Sequence, residues 1–166
     1  PAYDFGTHKG YITDTHTRAL DRVAESAEIC GQDVTDDDIV VCVQGDEPLL
    51  GPDMIEAIIK PFDDDPEVEG TLLSVPIPDE ETFLNPDMVK LVHDLKGDVM
   101  FTSRAPIPYA KEFLPDIGAR RVGGIFGFRW HFLKWFTLLE TVSNSRENLN
   151  LGSVKQTLRQ ADFRFV

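Results

Sequence analysis

Gln44, Asp46 and Glu47 stand together directly after the apolar run "IVVCV" of Ile39–Val43. Two carboxylates and a carboxamide are hard oxygen donors, and such groups suit Mg²⁺ rather than zinc. Gly45 lets the backbone turn or come close to a ligand, and Pro48 stiffens the exit. For the Gly-Asp pair by itself a polar strand-to-loop turn is the better account. The complete string "VQGDEP" is more specific than either half. If Ile39–Gln44 is a strand, this cluster lies where open α/β sheets bind ligands, beyond the carboxyl end of a strand.

The elements that must position it follow from periodicity. Apolar residues on both faces of Ile39–Gln44 predict a central parallel strand covered by helices. Asp14–Gly31 reads as a helix: Ala19, Leu20, Val23, Ala24 and Ala27 share a face, Asp14, Thr15 or Thr17 can cap it, and Gly31 stops it. A short helix is predicted over Pro52–Phe62, with Pro61 ending it, followed by an acidic loop and a strand over Gly70–Pro76. Met88–His93 and Val99–Thr102 form a hairpin-like pair around a Lys96–Gly97 turn. Arg121–Arg129 is a strand punctuated by glycines, which signal close backbone approach or a bulge. The apolar helix Trp130–Glu140, a polar helix from Arg146 to Gln160 and a last strand "DFRFV" complete the chain. Helices alternating with strands, then clustered strands, give an α/β domain over residues 1–166, its mixed sheet mostly parallel with an antiparallel addition.

Composition narrows the function. The 166 residues are 42% hydrophobic and 27% charged, as in a globular protein. A formal charge of -13 opposes broad nucleic-acid binding, yet local arginines or a divalent cation can still hold one nucleotide. Cys30 and Cys42 give no disulfide framework, and Cys42 reads as a small buried hydrophobe. No apolar run spans a bilayer, so the expectation is a cytoplasmic protein with no membrane partner. His8, His93 and His131 lack the neighbours that nucleophilic catalysis needs. "GGIFG" lacks the spacing of a dinucleotide fingerprint, and the aromatic density of Trp130–Leu139 means core or subunit interface.

"CVQGDEPLL" resembles the signature of the CMP-Kdo synthetases (3-deoxy-manno-octulosonate cytidylyltransferases), which activate sugars in lipopolysaccharide biosynthesis. "HTRALDRVAE" (His16–Glu25) resembles that family's helix start, "NPDMVKLVHDLKGDVMFTSRAPIPY" (Asn85–Tyr109) its Asn-Pro, Val-Lys-Val-Val and Ser-Arg-x-x-Ile-Pro stretch, and "GGIFGFR" (Gly123–Arg129) its Gly-Ile-Tyr-Gly-Tyr-Arg strand. The resemblance implies a Rossmann-like nucleotide-diphospho-sugar transferase fold, a homodimer, and transfer of CMP from CTP to a sugar acid with pyrophosphate leaving. It makes Asp46 the catalytic, Mg²⁺-binding aspartate, places Gln44, Gly45 and Arg22 against the nucleotide, and sets Gln44, Arg104 and Phe126 against the sugar acid. A guanidinium such as that of Arg104 suits a carboxylate because it donates two parallel hydrogen bonds. A surface salt bridge with Asp21 or Glu25 is the other reading of Arg22. His16 either approaches the nucleotide or caps the helix.

The chain departs from the family at defined places. Arg18-Ala19-Leu20 replace Ser-Gly-Thr, bringing bulk and charge near the nucleotide base; Val122 stands for a sugar-contacting histidine and Phe126 for a tyrosine. "NLGSV" (Asn150–Val154) occupies the place of a Glu-Gln pair. The family's N-terminal nucleotide loop and its C-terminal metal-binding segment are expected to be missing. Two functions stay open: a cytidylyltransferase for Kdo or a related 3-deoxy sugar acid, and a non-catalytic relative that uses the fold for binding or assembly. The acidic triplets Asp36–Asp38 and Asp63–Asp65 resemble the Asp-x-Asp of metal-dependent glycosyltransferases, but polar connections of this kind read as solvated loops.

Overall fold

The computed structural model describes residues 2–4, 9–11, 16, 18–30, 34–46, 48–138 and 162–165. Strands β1 (Ala2–Asp4) and β2 (Lys9–Tyr11) form a small antiparallel ribbon. Helix α1 runs over Ala19–Cys30, strand β3 over Ile39–Val43, helix α2 over Pro52–Asp64 and strand β4 over Val68–Pro76. Helix α3 (Glu80–Leu84) leads to the β5 (Lys90–His93) and β6 (Val99–Ser103) hairpin, then β7 (Arg120–Arg129), α4 (Trp130–Leu138) and β8 (Asp162–Phe165). The helix expected over Arg146–Gln160 and the caps expected at Asp14, Thr15 and Thr17 lie outside the described residues.

The sheet order is β6-β5-β7-β4-β8, with β3 also paired to β7. β4–β8 is the one parallel pairing among the described residues; β3–β7, β4–β7, β5–β7 and β5–β6 are antiparallel. The expected parallel character therefore survives in direction but not in pairing. β3, β4, β5 and β8 all run one way, and the reversed β7 is inserted between β3 and β4. Such an insertion depends on contacts distant in sequence, which local apolar patterning does not report.

Side-chain alternation sends the two faces of the sheet to different helices. Cys42, Leu72, Phe126 and Phe128 pack with Leu20 and Ala24 of α1 and with Phe132, Leu133 and Phe136 of α4. Val41, Leu73 and Ile125 pack with Ile58 and Met54 of α2. Pro52 opens α2 as predicted, but Pro61 lies inside the helix, which continues to Asp64. A proline costs the turn a hydrogen bond, and burial of Phe62 against the sheet holds the last turn in place. β7 can lie close to α2 because Gly127 has no side chain: a Cβ there would meet Thr71 Oγ1 at 2.7 Å and Ile58 Cγ2 at 2.8 Å.

Cys42 is buried with a free thiol, and burial pushes its pKa up, as a small core hydrophobe requires. The Lys96–Gly97 turn forms as expected, with Gly97 at φ 90 and the Asp94 carboxylate accepting from the Lys96 and Asp98 amides at 2.8 and 3.0 Å. Trp130, Phe132, Leu133 and Phe136 are buried, so α4 contributes core. The acidic triplets are structural. Asp36 bonds Lys134 at 2.6 Å, which lowers the Asp36 pKa, and Asp38 accepts from the Thr35 amide at 2.6 Å. Asp63 and Asp64 finish α2, where Asp64 accepts from Lys60 at 3.1 Å. Among the described residues no helix is long and apolar enough to cross a membrane.

Candidate functional site

The long strand β7 brings distant segments of sequence together. One of its edges carries β4 along its length. Its other edge carries two strands end to end: β3 opposite Ile125–Arg129 and β5 opposite Arg120 and Arg121. β3 leaves where the Gln44 amide donates to the Gly124 carbonyl at 3.2 Å, and β5 enters where the Val122 amide donates to the Val89 carbonyl at 2.9 Å. Only Gly123 separates these two points on β7, within the stretch where β7 shifts register against β4 between Leu72 and Ser74. A strand departing beside another arriving leaves a break in that edge of the sheet, and α/β proteins bind ligands beyond the carboxyl ends of their strands. Gly124 shapes the break by adopting φ 71, a left-handed conformation that favours glycine.

Gln44, Gly45 and Asp46 form the rim on the β3 side. Gln44 is half-buried, Gly45 and Asp46 are exposed, and a Cβ added at Gly45 would meet nothing within 4 Å. Gly45 needs no unusual backbone angle, so its contribution is open access to the main chain. Among the described residues neither the Gln44 carboxamide nor the Asp46 carboxylate has a hydrogen-bond partner, and no arginine locks Asp46. Glu47 lies outside the described residues. By alternation Gln44 shares a face with Cys42, whose register partner is Phe126. Phe126 is nearly buried and stacks on Phe128, with ring centres 6.4 Å apart; Val122 packs against the same cluster. Phe126 and Val122 thus belong to one apolar cluster on the face of the sheet that Gln44 shares.

Arg104 lies on the β5 side. It follows β6, whose Ser103 is paired with Lys90 at the start of β5. The Arg104 Nη1 donates to the carbonyls of Pro86 and Asp87 at 2.9 and 3.1 Å. Sequence reasoning passed over Lys90, which is fully buried inside what reads as an apolar run. Its ammonium donates to the carbonyls of Asn85 (2.7 Å), Met88 (3.0 Å) and Arg104. Burial, and then the nearby Arg104 charge, lowers its pKa. A lysine within "MVKLVH" was the available signal, since its charge inside a predicted strand requires partners.

The start of α1 behaves differently. Arg22 lies on the exposed side of the helix, away from buried Leu20 and Ala24, and its Nη2 reaches the His16 carbonyl at 3.3 Å. The described contacts do not join it to the Gln44–Asp46 turn. The salt-bridge partners considered for it are taken by others: Arg18 holds Asp21 at 2.7 Å, and His16 Nε2 lies 2.9 Å from Glu25. Arg18 also donates to the Thr137 carbonyl at 3.1 Å and lies over the Phe136 ring at 5.8 Å. Its bulk and charge tie α1 to α4.

The donor set bears on a metal. Among the described residues no three His, Cys, Asp or Glu side chains converge. One exposed carboxylate suits Mg²⁺ as it binds beside phosphates, through one or two carboxylates and retained waters. The residues fit that ion.

Comparisons with known proteins bear on the family and the fold. The model of the family described as Cytidylyltransferase matches residues 3–162. The 3-deoxy-manno-octulosonate cytidylyltransferase of Syntrophus aciditrophicus is 36% identical over 148 residues, 89% of this chain and 57% of that protein. Its namesake from Chlorobaculum parvum is 44% identical over 126 residues, 74% of this chain and 49% of that protein. A solved structure of CMP:2-keto-3-deoxy-manno-octonic acid synthetase complexed with CTP superposes with a TM-score of 0.73 at 25% identity, covering 92% of this chain and 60% of that one. The chain spans about half the length of the curated relatives it matches.

Proposed function

The chain belongs to the cytidylyltransferase family, and on that premise we propose that the protein transfers CMP from CTP to Kdo or a related 3-deoxy sugar acid. A sugar hydroxyl oxygen attacks the α-phosphorus, the bond from that phosphorus to the bridging oxygen breaks, pyrophosphate leaves, and the hydroxyl proton passes to solvent. Such a reaction asks the protein mainly for positioning and for groups that answer developing charge.

The observation that supports this reading is a pair of polar groups, Gln44 and Asp46, that have no side-chain hydrogen-bond partner among the described residues at the exit of β3, where β5 enters along the same edge of β7 and Arg104 follows the neighbouring β6. Asp46 would hold Mg²⁺, which when bound supplies charge neutralisation between CTP and the incoming sugar acid. Gln44 orients the sugar acid from the β3 side and Arg104 meets its carboxylate. Gly45 leaves the main chain open to the nucleotide, and Arg22 is the second nucleotide contact in this reading. Phe126 supplies an apolar wall to the sugar. The reading carries with it a cytoplasmic homodimer.

A second reading, a non-catalytic relative used for binding or assembly, draws support from the apolar cluster on the face that Gln44 shares. Val122 and Phe126 offer no hydrogen-bonding group there, and a site that must pair a hydroxyl loses heavily without its partner. CTP-dependent pyrophosphate release across a panel of sugar acids tests the two. Release that requires one sugar acid supports the transferase; no release, with no CTP- and Mg²⁺-dependent rise in melting temperature, supports the non-catalytic relative.

A further inference from the structure

Lys90 is saturated: an ammonium has three donors, and its described acceptors are the carbonyls of Asn85, Met88 and Arg104. Two of these lie in the turn that precedes β5, and the third lies at the residue that leaves β6. Arg104 bonds the same turn through its side chain, at Pro86 and Asp87. The backbone and the guanidinium of Arg104 are therefore both referred to residues 85–88, and Lys90 grips the turn and the Arg104 backbone at once. The described partners of Lys90 include no carboxylate, so two cations stand close together with only peptide dipoles to offset the buried one. Such a place favours an anionic ligand.

We infer that Lys90 is a positioning residue for the sugar acid: by clamping the Asn85–Met88 turn to the Arg104 backbone, it sets where the Arg104 guanidinium meets the substrate carboxylate. This inference rests on the proposed transferase reading and adds a residue to it. Shape supports it too. Lys90 faces Ser103 and Arg121 across its two neighbours, so it is held inside the sheet on both sides. Burial also lowers its pKa, and Arg104 contributes to that shift as the two positive charges oppose each other.

The test is steady-state kinetics of the full-length protein, varying CTP and sugar acid separately, for wild type, K90M, R104A and K90M/R104A. Displacing a bidentate guanidinium by a fraction of an ångström weakens its ligand steeply, so K90M is expected to raise the KM for the sugar acid about tenfold or more. Its KM for CTP is expected to stay within about twofold of wild type. In the R104A background K90M adds less than about twofold, because the residue it positions is gone. Where K90M does not yield folded protein, K90Q, which keeps two N–H donors for the carbonyls, replaces it throughout. An unchanged sugar-acid KM, a loss confined to kcat, or full additivity with R104A would overturn the inference while leaving the transferase reading intact. A wild-type protein without sugar-acid-dependent pyrophosphate release would remove both.

Discussion

Replacing Gly127 by alanine is the most direct test of how β7 is held between its neighbours. The added methyl would lie 2.7 Å from Thr71 Oγ1, 2.8 Å from Ile58 Cγ2 and 3.0 Å from Phe62 Cε2. Those atoms belong to β4 and to two core positions of α2, so none is the free end of a flexible chain. Thr71 is fully buried and its hydroxyl donates to the Ile58 carbonyl at 2.9 Å. Moving it away from the methyl strains that bond, worth about 1 kcal/mol, on top of about 1–3 kcal/mol for overpacking. Reduced freedom of the unfolded chain returns about 0.4–1 kcal/mol. The net loss expected is about 1–3.6 kcal/mol, or roughly 2–14 °C in melting temperature for a domain of this size. Urea unfolding of G127A, G123A and G45A gives a graded comparison. At Gly123 the nearest atoms are the branched ends of Leu73 and Val75 at 3.1 Å, which can give way; at Gly45 nothing lies within 4 Å. The expected order of damage is G127A, then G123A, then G45A, with G45A close to neutral. G127A as stable as wild type, or G45A more damaging than G127A, would refute the packing described for β7 and α2.

Two further perturbations bear on other elements. Arg18→Met removes a part-buried ion pair with Asp21 and the bond to Thr137; thermal melts should show a loss of about 1.5–3 kcal/mol, and the KM for CTP should not change, since the residue ties α1 to α4. A large CTP effect would contradict that assignment. Burial tends to lower the His131 pKa, but the Asp36 carbonyl and the Glu69 carboxylate, 2.9 Å away, outweigh it and the net shift is upward. The sign follows from linkage: its stabilisation is complete below the unfolded histidine value, about 6.5, and fades as pH rises through the higher folded value. Chemical denaturation from pH 5.5 to 8.5, read by tryptophan fluorescence, should show a downward step that His131→Gln flattens; an unaltered pH profile in the variant would exclude His131 as its source.

The parts of this molecule legible in its sequence are those fixed by local chemistry. The apolar run before Gln44 announces β3, Lys96–Gly97 announces the hairpin turn, and the glycines of "RVGGIFGFR" announce close approach, which Gly127 and Gly124 then display in different ways. Pro61 looked like a stop because proline opposes helix locally; the burial of Phe62 is a tertiary fact that overrides it. The insertion of β7 between β3 and β4 was hidden for the same reason. In the candidate site, Gln44 and Asp46 were visible as polar groups following a strand, whereas the entry of β5 beside them, with Arg104 on the next strand, comes only from the β7 register. Lys90 was invisible as a functional residue because a lone lysine in an apolar run does not disclose which carbonyls will surround it. Arg18, read as an intrusion near the nucleotide base, has its partners in Asp21 and, across the chain, Thr137.

The central claim is that the Asp46 carboxylate, exposed and without a described partner at the β3 exit, holds the cation on which CMP transfer depends. Asp46→Asn keeps the size of the side chain and removes its charge, so pyrophosphate release from CTP and sugar acid by the full-length protein is the measurement that addresses it most directly. The account predicts a fall of at least about 100-fold in kcat/KM, as expected when several kcal/mol of metal-borne charge stabilisation are lost, with the unfolding midpoint unchanged. Release at the wild-type rate from Asp46→Asn would contradict it.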